Sequence, residues 1–184
     1  MNSGVAVPVE PPVVLVMMGV SGCGKSTVAG LLAGRLDWAL EEGDDLHPQA
    51  NKDKMAAGHP LTDDDRWPWL EKIAEWAEEQ LGAGQSGLIT CSALKRSYRD
   101  LIDRRGSGVV FVYLAGSREV ISTRLVARQG HYMPSSLLDS QFADLQEPGP
   151  DEPAVRIDVG PSARVIAQNV LDALGLPGAR KQDS

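Results

Sequence analysis

One stretch constrains this chain more than any other: Gly19-Val20-Ser21-Gly22-Cys23-Gly24-Lys25-Ser26, which satisfies G-x-x-x-x-G-K-[ST]. The apolar run Val13-Val14-Leu15-Val16-Met17-Met18 precedes it, and helix-forming Thr27-Val28-Ala29-Gly30-Leu31-Leu32-Ala33 follows. That order is strand, loop, helix. Glycines let the backbone turn tightly and aim successive N–H groups into one concavity, while the helix behind adds the positive end of its dipole. A polyphosphate fits such a cradle, built here from the backbone of Gly19, Ser21, Gly22, Cys23 and Gly24. Lys25 is placed to reach the β- and γ-phosphates of a nucleotide, and the Ser26 hydroxyl to ligate the Mg²⁺ that travels with it. The bland alternative is a glycine turn between a strand and a helix.

Composition narrows what such a loop can serve. The 184 residues are 42% hydrophobic, enough for one sizeable core and short for two domains. A net charge of −7 with no basic stripe argues against nucleic acid or an anionic membrane surface as partner, so an anionic small substrate would need locally gathered cations. Cys23 and Cys91 are too few for a disulfide framework and lack metal-ligand spacing, and both read as small packing residues in a reducing compartment. Residues 1–12 carry no Lys or Arg for a signal sequence, and the apolar run after them is too short to span a bilayer. The expectation is a cytoplasmic protein with a disordered tail at 1–12, one domain at 13–175 and a polar tail at 176–184.

Along the chain, strands are expected at Val13 to Met18, Trp38 to Glu41, Leu88 to Cys91, Val109 to Leu114 and Val155 to Val159. Helices are expected between them, with Thr62 as an N-cap ahead of first-turn acids Asp63, Asp64 and Asp65, and Gly175 closing the last helix. A polar break with Gly130 and Pro134 separates two helices, and Arg124 and Arg128 lie four apart on one face before it. Strands alternating with helices predict an α/β fold whose parallel sheet is covered on both faces.

Phosphoryl transfer to an alcohol needs one acid near the metal and one to take the hydroxyl proton. Glu42 and Asp44, two apart on a segment read as extended, would point the same way at a strand's carboxyl end. Surface acids and a turn cap are the competing reading. Arg66, Lys95 and Arg99 are singly no more than solvated charges, although Lys95 follows a buried strand and Arg can grip a carboxylate with two hydrogen bonds. Trp67-Pro68-Trp69 reads as aromatic packing at a helix start in preference to a docking surface.

Four segments together carry a resemblance: GVSGCGKST, the run GDDLHPQANKDKMAAGHPLTDDDRWPWL from Gly43 to Leu70, CSALKRSYRDLI from Cys91 to Ile102, and RLVARQGHYMPSSLLDSQFADLQEP from Arg124 to Pro148. The chain resembles the gluconokinases of the P-loop kinase group from about Val13 to Leu174. The resemblance implies a nucleoside-monophosphate-kinase-like, three-layer α/β/α fold with a five-stranded parallel sheet and a lid at about residues 129–134. It implies ATP and Mg²⁺ as cofactors, a homodimer, and D-gluconate becoming 6-phospho-D-gluconate, which feeds the pentose phosphate pathway. Lys25, Asp44 and Arg128 would be catalytic, Asp44 by holding and activating the acceptor hydroxyl. Arg124 and Arg128 would serve the nucleotide, and Glu42, where an aspartate is usual, would reach the metal through water. His47, Lys54, Arg66, Lys95, Arg99, His131 and Gln146 would gather round the sugar acid with Asp44, with Arg66, Lys95 and Arg99 on its carboxylate. Gln129 stands where a basic residue is common, implying a lid with one cation fewer. Rival readings are a shikimate- or adenylylsulfate-kinase-like enzyme, or a non-catalytic nucleotide switch.

Overall fold

A computed structural model describes residues 7–127 and 135–177. The strand before the glycine-rich loop, β1 (Val14–Met18), is buried at all five positions. Such a run suits only a strand covered on both faces. It is the middle strand of a five-stranded sheet in the order β2-β3-β1-β4-β5, with β2 at Ala39–Glu42, β3 at Gly87–Thr90, β4 at Val109–Ala115 and β5 at Ala154–Asp158. Every pairing is parallel: Val16 stands opposite Ile89 on one side and Phe111 on the other.

Alternation along β1 divides the core in two. Leu15 and Met17 join α1 (Lys25–Leu36) and α7 (Ala163–Leu174) through Val28, Leu32, Ile166 and Val170. Val14, Val16 and Met18 join α3 (Asp63–Gly82) and α4 (Arg96–Ile102) through Leu70, Ile73, Tyr98 and Ile102. Helices on both faces make the expected three layers. Each buried Leu, Met or Ile side chain contributes about 1.5–3 kcal/mol relative to exposure, so the central strand is also the main anchor of the fold.

Two local readings are corrected. Trp38 closes α1 and does not open β2, because Asp37 takes a left-handed φ of 57° and the Trp38 N–H donates to Ala33 O at 3.3 Å. Residues 7–12 are an ordered strap where a disordered tail was expected. Val7 and Val9 donate backbone hydrogen bonds to Ala173 O and Leu174 O at 2.8 and 3.0 Å, and both side chains pack on the core beneath α7. Thr62 and Asp65 form the reciprocal capping box of α3, and Gly175 ends α7 in the left-handed region, as the residue types predict. Among the described residues no helix is long and apolar enough to cross a membrane.

Candidate active site

All five strands run in parallel, so the segments leaving β1, β2, β3, β4 and β5 emerge on one edge of the sheet. The chain goes from β1 to β2 on one side and later to β4 on the other, which opens a crevice at the carboxyl end of β1. The glycine-rich loop occupies that crevice, its Gly19 N–H donating to Ser92 O at 3.2 Å. Gly22 adopts φ 83°, and a Cβ there would lie 2.6 Å from the Leu125 side chain of α5 (Arg118–Ala127), so only glycine fits the turn. At its end Gly24 caps α1 without any side-chain hydrogen bond, and no acid stands in the first turn. The contrast with α3 and α7, both capped by side-chain oxygens, is chemical. Only α1 of the three leaves its positive end to an anion.

Lys25 Nζ lies across this loop, donating to Gly19 O at 2.8 Å and Val20 O at 3.1 Å. The loop is braced from α6 (Ser135–Asp144): Gln141 Oε1 accepts from the Ser21 N–H at 2.6 Å, and its Nε2 donates to Ser21 Oγ at 2.8 Å. Beside Lys25, Ser26 Oγ donates to Glu42 Oε2 at 3.0 Å, and Thr90 Oγ1 donates to the same oxygen at 2.5 Å. The head of α1 and the ends of β2 and β3 thus meet at one carboxylate. Its neighbour Gly43 is held against β3, where a Cβ would lie 2.0 Å from Thr90 O.

The extended geometry expected through Glu42 and Asp44 is broken at this glycine, since Gly43–Leu46 forms a single 3-10 turn. Asp44 consequently leaves the strand alternation, and its side chain is 92% exposed with Oδ1 4.0 Å from His47 Nε2. His47 is stacked on Trp69 at 4.0 Å between centroids. Asn51 Nδ2 donates to Asp65 O at 2.9 Å and lies 3.2 Å from His47 Nδ1, so Nδ1 accepts and the ring proton sits on Nε2, facing Asp44. Burial lowers the His47 pKa and so favours the neutral ring, against the opposing pull of Asp44.

Next to the loop a cleft of about 250 Å³ is lined by Gly22, Gly24, Thr27, Arg124, Pro161 and Ser162. Arg124 Nη2 donates to Gly160 O at 3.3 Å and Pro161 O at 3.0 Å, tying α5 to the loop before α7. Across the edge, the first turns of α3 and α4 bring Arg66 and Lys95 to Tyr98, their charges 5.8 and 5.6 Å from its ring centroid.

Residues 14–148 match a protein family described as AAA domain. A gluconokinase of Gluconobacter oxydans is 48% identical over 87% of this chain and 90% of its own length. The chain belongs to the gluconokinase family. The thermoresistant gluconokinase of Escherichia coli is 47% identical over 78% of this chain and 82% of that protein. A crystal structure of a gluconokinase from Sinorhizobium meliloti superposes with a TM-score of 0.82 at 43% identity, covering 89% of this chain and 92% of that one.

Within this family fold, the residues expected at the sugar acid do not all reach open space. Arg99 is corrected outright. It is fully buried, its Nε and Nη2 donating to the two oxygens of buried Glu152 at 2.7 and 3.2 Å, and Nη1 to Ala93 O at 2.8 Å and Leu94 O at 3.2 Å. With those donors committed it cannot clamp a ligand; it pins the corner at Ala93, whose φ is 46°, ahead of Lys95. Lys54 is paired with Asp65 at 2.6 Å, a contact that with the Thr62 hydrogen bonds holds the Asp65 carboxyl down to about 2. Gln146 Oε1 accepts from the Arg96 N–H at 2.9 Å and so caps α4. Cys23 and Cys91 are buried, and desolvation pushes the Cys91 thiol up to about 12, as packing residues require. Trp69 is buried and Trp67 packs edge-on to Tyr98. Arg128, His131, Gln129 and the expected lid at 129–134 lie outside the described residues. Sequence reading missed Thr90, Tyr98, Gln141 and Glu152, all of which act through partners far away in the chain.

Proposed function

We propose that this chain transfers the γ-phosphoryl group of ATP to the 6-hydroxyl of D-gluconate, giving ADP and 6-phospho-D-gluconate. The observation that carries the reading is an uncapped phosphate loop sharing one sheet edge with the Arg66, Lys95 and Tyr98 cluster, in a chain of the gluconokinase family. The triphosphate lies on the backbone of Gly19, Ser21, Gly22, Cys23 and Gly24 and at the head of α1, with Thr27 beside it, and the base enters the cleft by Arg124. Lys25 exchanges its loop carbonyls for phosphate oxygens.

A hydroxyl and a carboxylate as adjacent donors, Ser26 and Glu42, fit a hard divalent cation. Among the described residues no group of three or more His, Cys, Asp or Glu could hold a metal unaided, which suits Mg²⁺ shared with phosphates and water. Bound there, Mg²⁺ would neutralise charge on the phosphates. Asp44 accepts the proton of the 6-hydroxyl as its oxygen bonds to the γ-phosphorus and the bridge to ADP breaks. His47, held by Trp69 and Asn51, steadies Asp44 from behind. Arg66 and Lys95 take the substrate's carboxylate at the far end. We assign the homodimer, the cytoplasmic setting and the catalytic part of Arg128 on the family resemblance alone.

The test is a coupled assay of purified protein against gluconate, glucose, shikimate, adenylylsulfate and nucleoside monophosphates, with the phosphorylated carbon identified. Turnover on any other panel member exceeding that on gluconate would overturn the substrate while leaving the kinase fold standing.

A further inference from the structure

The cation cluster already holds a carboxylate. Lys95 Nζ donates to Asp63 Oδ1 at 3.2 Å and to Oδ2 at 3.3 Å, and the Tyr98 hydroxyl donates to Oδ1 as well. Arg66 Nη1 donates to Tyr98 Oη at 3.0 Å and stands 3.6 Å from Asp63 Oδ1. Asp63 thus takes the hydrogen bonds that a free carboxylate would seek there. Helix capping does not account for it, because Thr62 and Asp65 already cap α3. Nor is it sealed in: the Asp63 side chain is 47% exposed, so the cluster meets solvent over this residue.

We propose that Asp63 is a tethered internal carboxylate that occupies the substrate-carboxylate clamp of Lys95, Arg66 and Tyr98, and that an incoming sugar acid must displace it. This rests on the proposed assignment of Arg66 and Lys95 to the substrate. Asp63 offsets part of the positive charge of Arg66 and Lys95, and a substrate carboxylate that displaces it takes over that role. A neutral sugar lacks the charge to compete for Lys95 and meets a clamp already satisfied. Asp63 is therefore a specificity residue, one that discriminates by supplying the competitor. The hydrogen bonds from Tyr98 and Lys95 keep its carboxyl below the ordinary 3.8, so the competitor remains charged throughout the neutral range.

The experiment is Asp63→Asn, which keeps the shape and removes the charge, with Asp63→Ser as a second variant should the first fold poorly by thermal melt. Gluconate binding is read by calorimetry, and KM for gluconate and for ATP by steady-state assay. The expected result is a fall of roughly 3- to 10-fold in Kd and KM for gluconate with KM for ATP unmoved, abolished when Lys95→Met is added. An unchanged or raised gluconate KM in a folded variant overturns the proposal and makes Asp63 an orienting group for the two cations. Wild-type protein that leaves gluconate unphosphorylated sinks instead the functional reading beneath it.

Discussion

Ser26 of the phosphate loop and Glu42 at the end of β2 share a hydrogen bond of 3.0 Å. β1, which leads into that loop, and β2 are not neighbours, since β3 lies between them and contributes Thr90 to the same carboxylate. The loop is thereby registered to the sheet through an acid that also suits a cation. Glu42→Gln keeps one acceptor for Thr90 but removes the charge, and is expected to raise the Mg²⁺ concentration needed for half-maximal rate while leaving the fold intact. An unchanged Mg²⁺ titration would separate Glu42 from the metal.

Lys25 gives the largest expected loss. Its ammonium stabilises charge that grows on the phosphates only in the transition state, so Lys25→Ala should lower kcat by at least ~10³-fold. Retention of more than about a tenth of wild-type kcat would contradict an electrostatic effect of that class.

The Asp44 side chain is 92% exposed, its Oδ1 4.0 Å from His47 Nε2, which leaves the carboxylate open to an acceptor hydroxyl. Asp44→Asn should lose roughly 10²–10⁴-fold in kcat with little change in ATP affinity. A titration in which ATP affinity falls as far as the rate does would reassign Asp44 to the nucleotide.

Arg99 and Glu152 form a buried ion pair, and burial of Glu152 raises its pKa less than Arg99 and the Gly149 N–H together lower it. Removing one partner leaves an uncompensated buried charge. Glu152→Ala should cost about 3–5 kcal/mol in urea unfolding, and the Arg99→Met, Glu152→Leu double variant distinctly less. Equal losses in single and double variants would count against the pair.

His47 sets a pH dependence. Burial lowers its pKa from the ordinary 6.5; Asp44 opposes this, and Arg66 and Lys52 reinforce it. Below pH 6.5 the unfolded chain therefore takes up a proton that the folded chain still refuses. Stability from this group is complete above that pH and declines as pH falls toward the folded pKa, by at most about 1.4 kcal/mol per pH unit. Melting temperatures between pH 7.5 and 5.5, a range of roughly one unit either side of the free histidine pKa, should fall more steeply for wild type than for His47→Asn. Parallel slopes would show that the ring titrates as it does in the unfolded chain.

What sequence reading reached follows from how local each feature is. The phosphate loop, the Thr62 cap and the Gly175 stop each depend on residues within a few positions, and the period of the apolar runs carries the sheet. Gln141 braces Ser21 across 120 positions, and Asp63 meets Tyr98 across 35. No spacing rule connects such pairs; they exist because parallel strands deliver distant segments to one edge. Arg99 was misassigned for the same reason. Its partner Glu152 lies 53 positions away, and a cation read alone gives no sign that it is already neutralised.

The strap at Val7 and Val9 places the first described residues against Ala173 and Leu174, close to the last described ones. A short linker from residue 177 back to residue 7 would therefore span little distance, and new ends could open at Gly84, an exposed loop glycine with free space around it. The protein is in this respect a closed ring of elements, and a circular permutant cut at Gly84 should fold with its central strand and phosphate loop undisturbed.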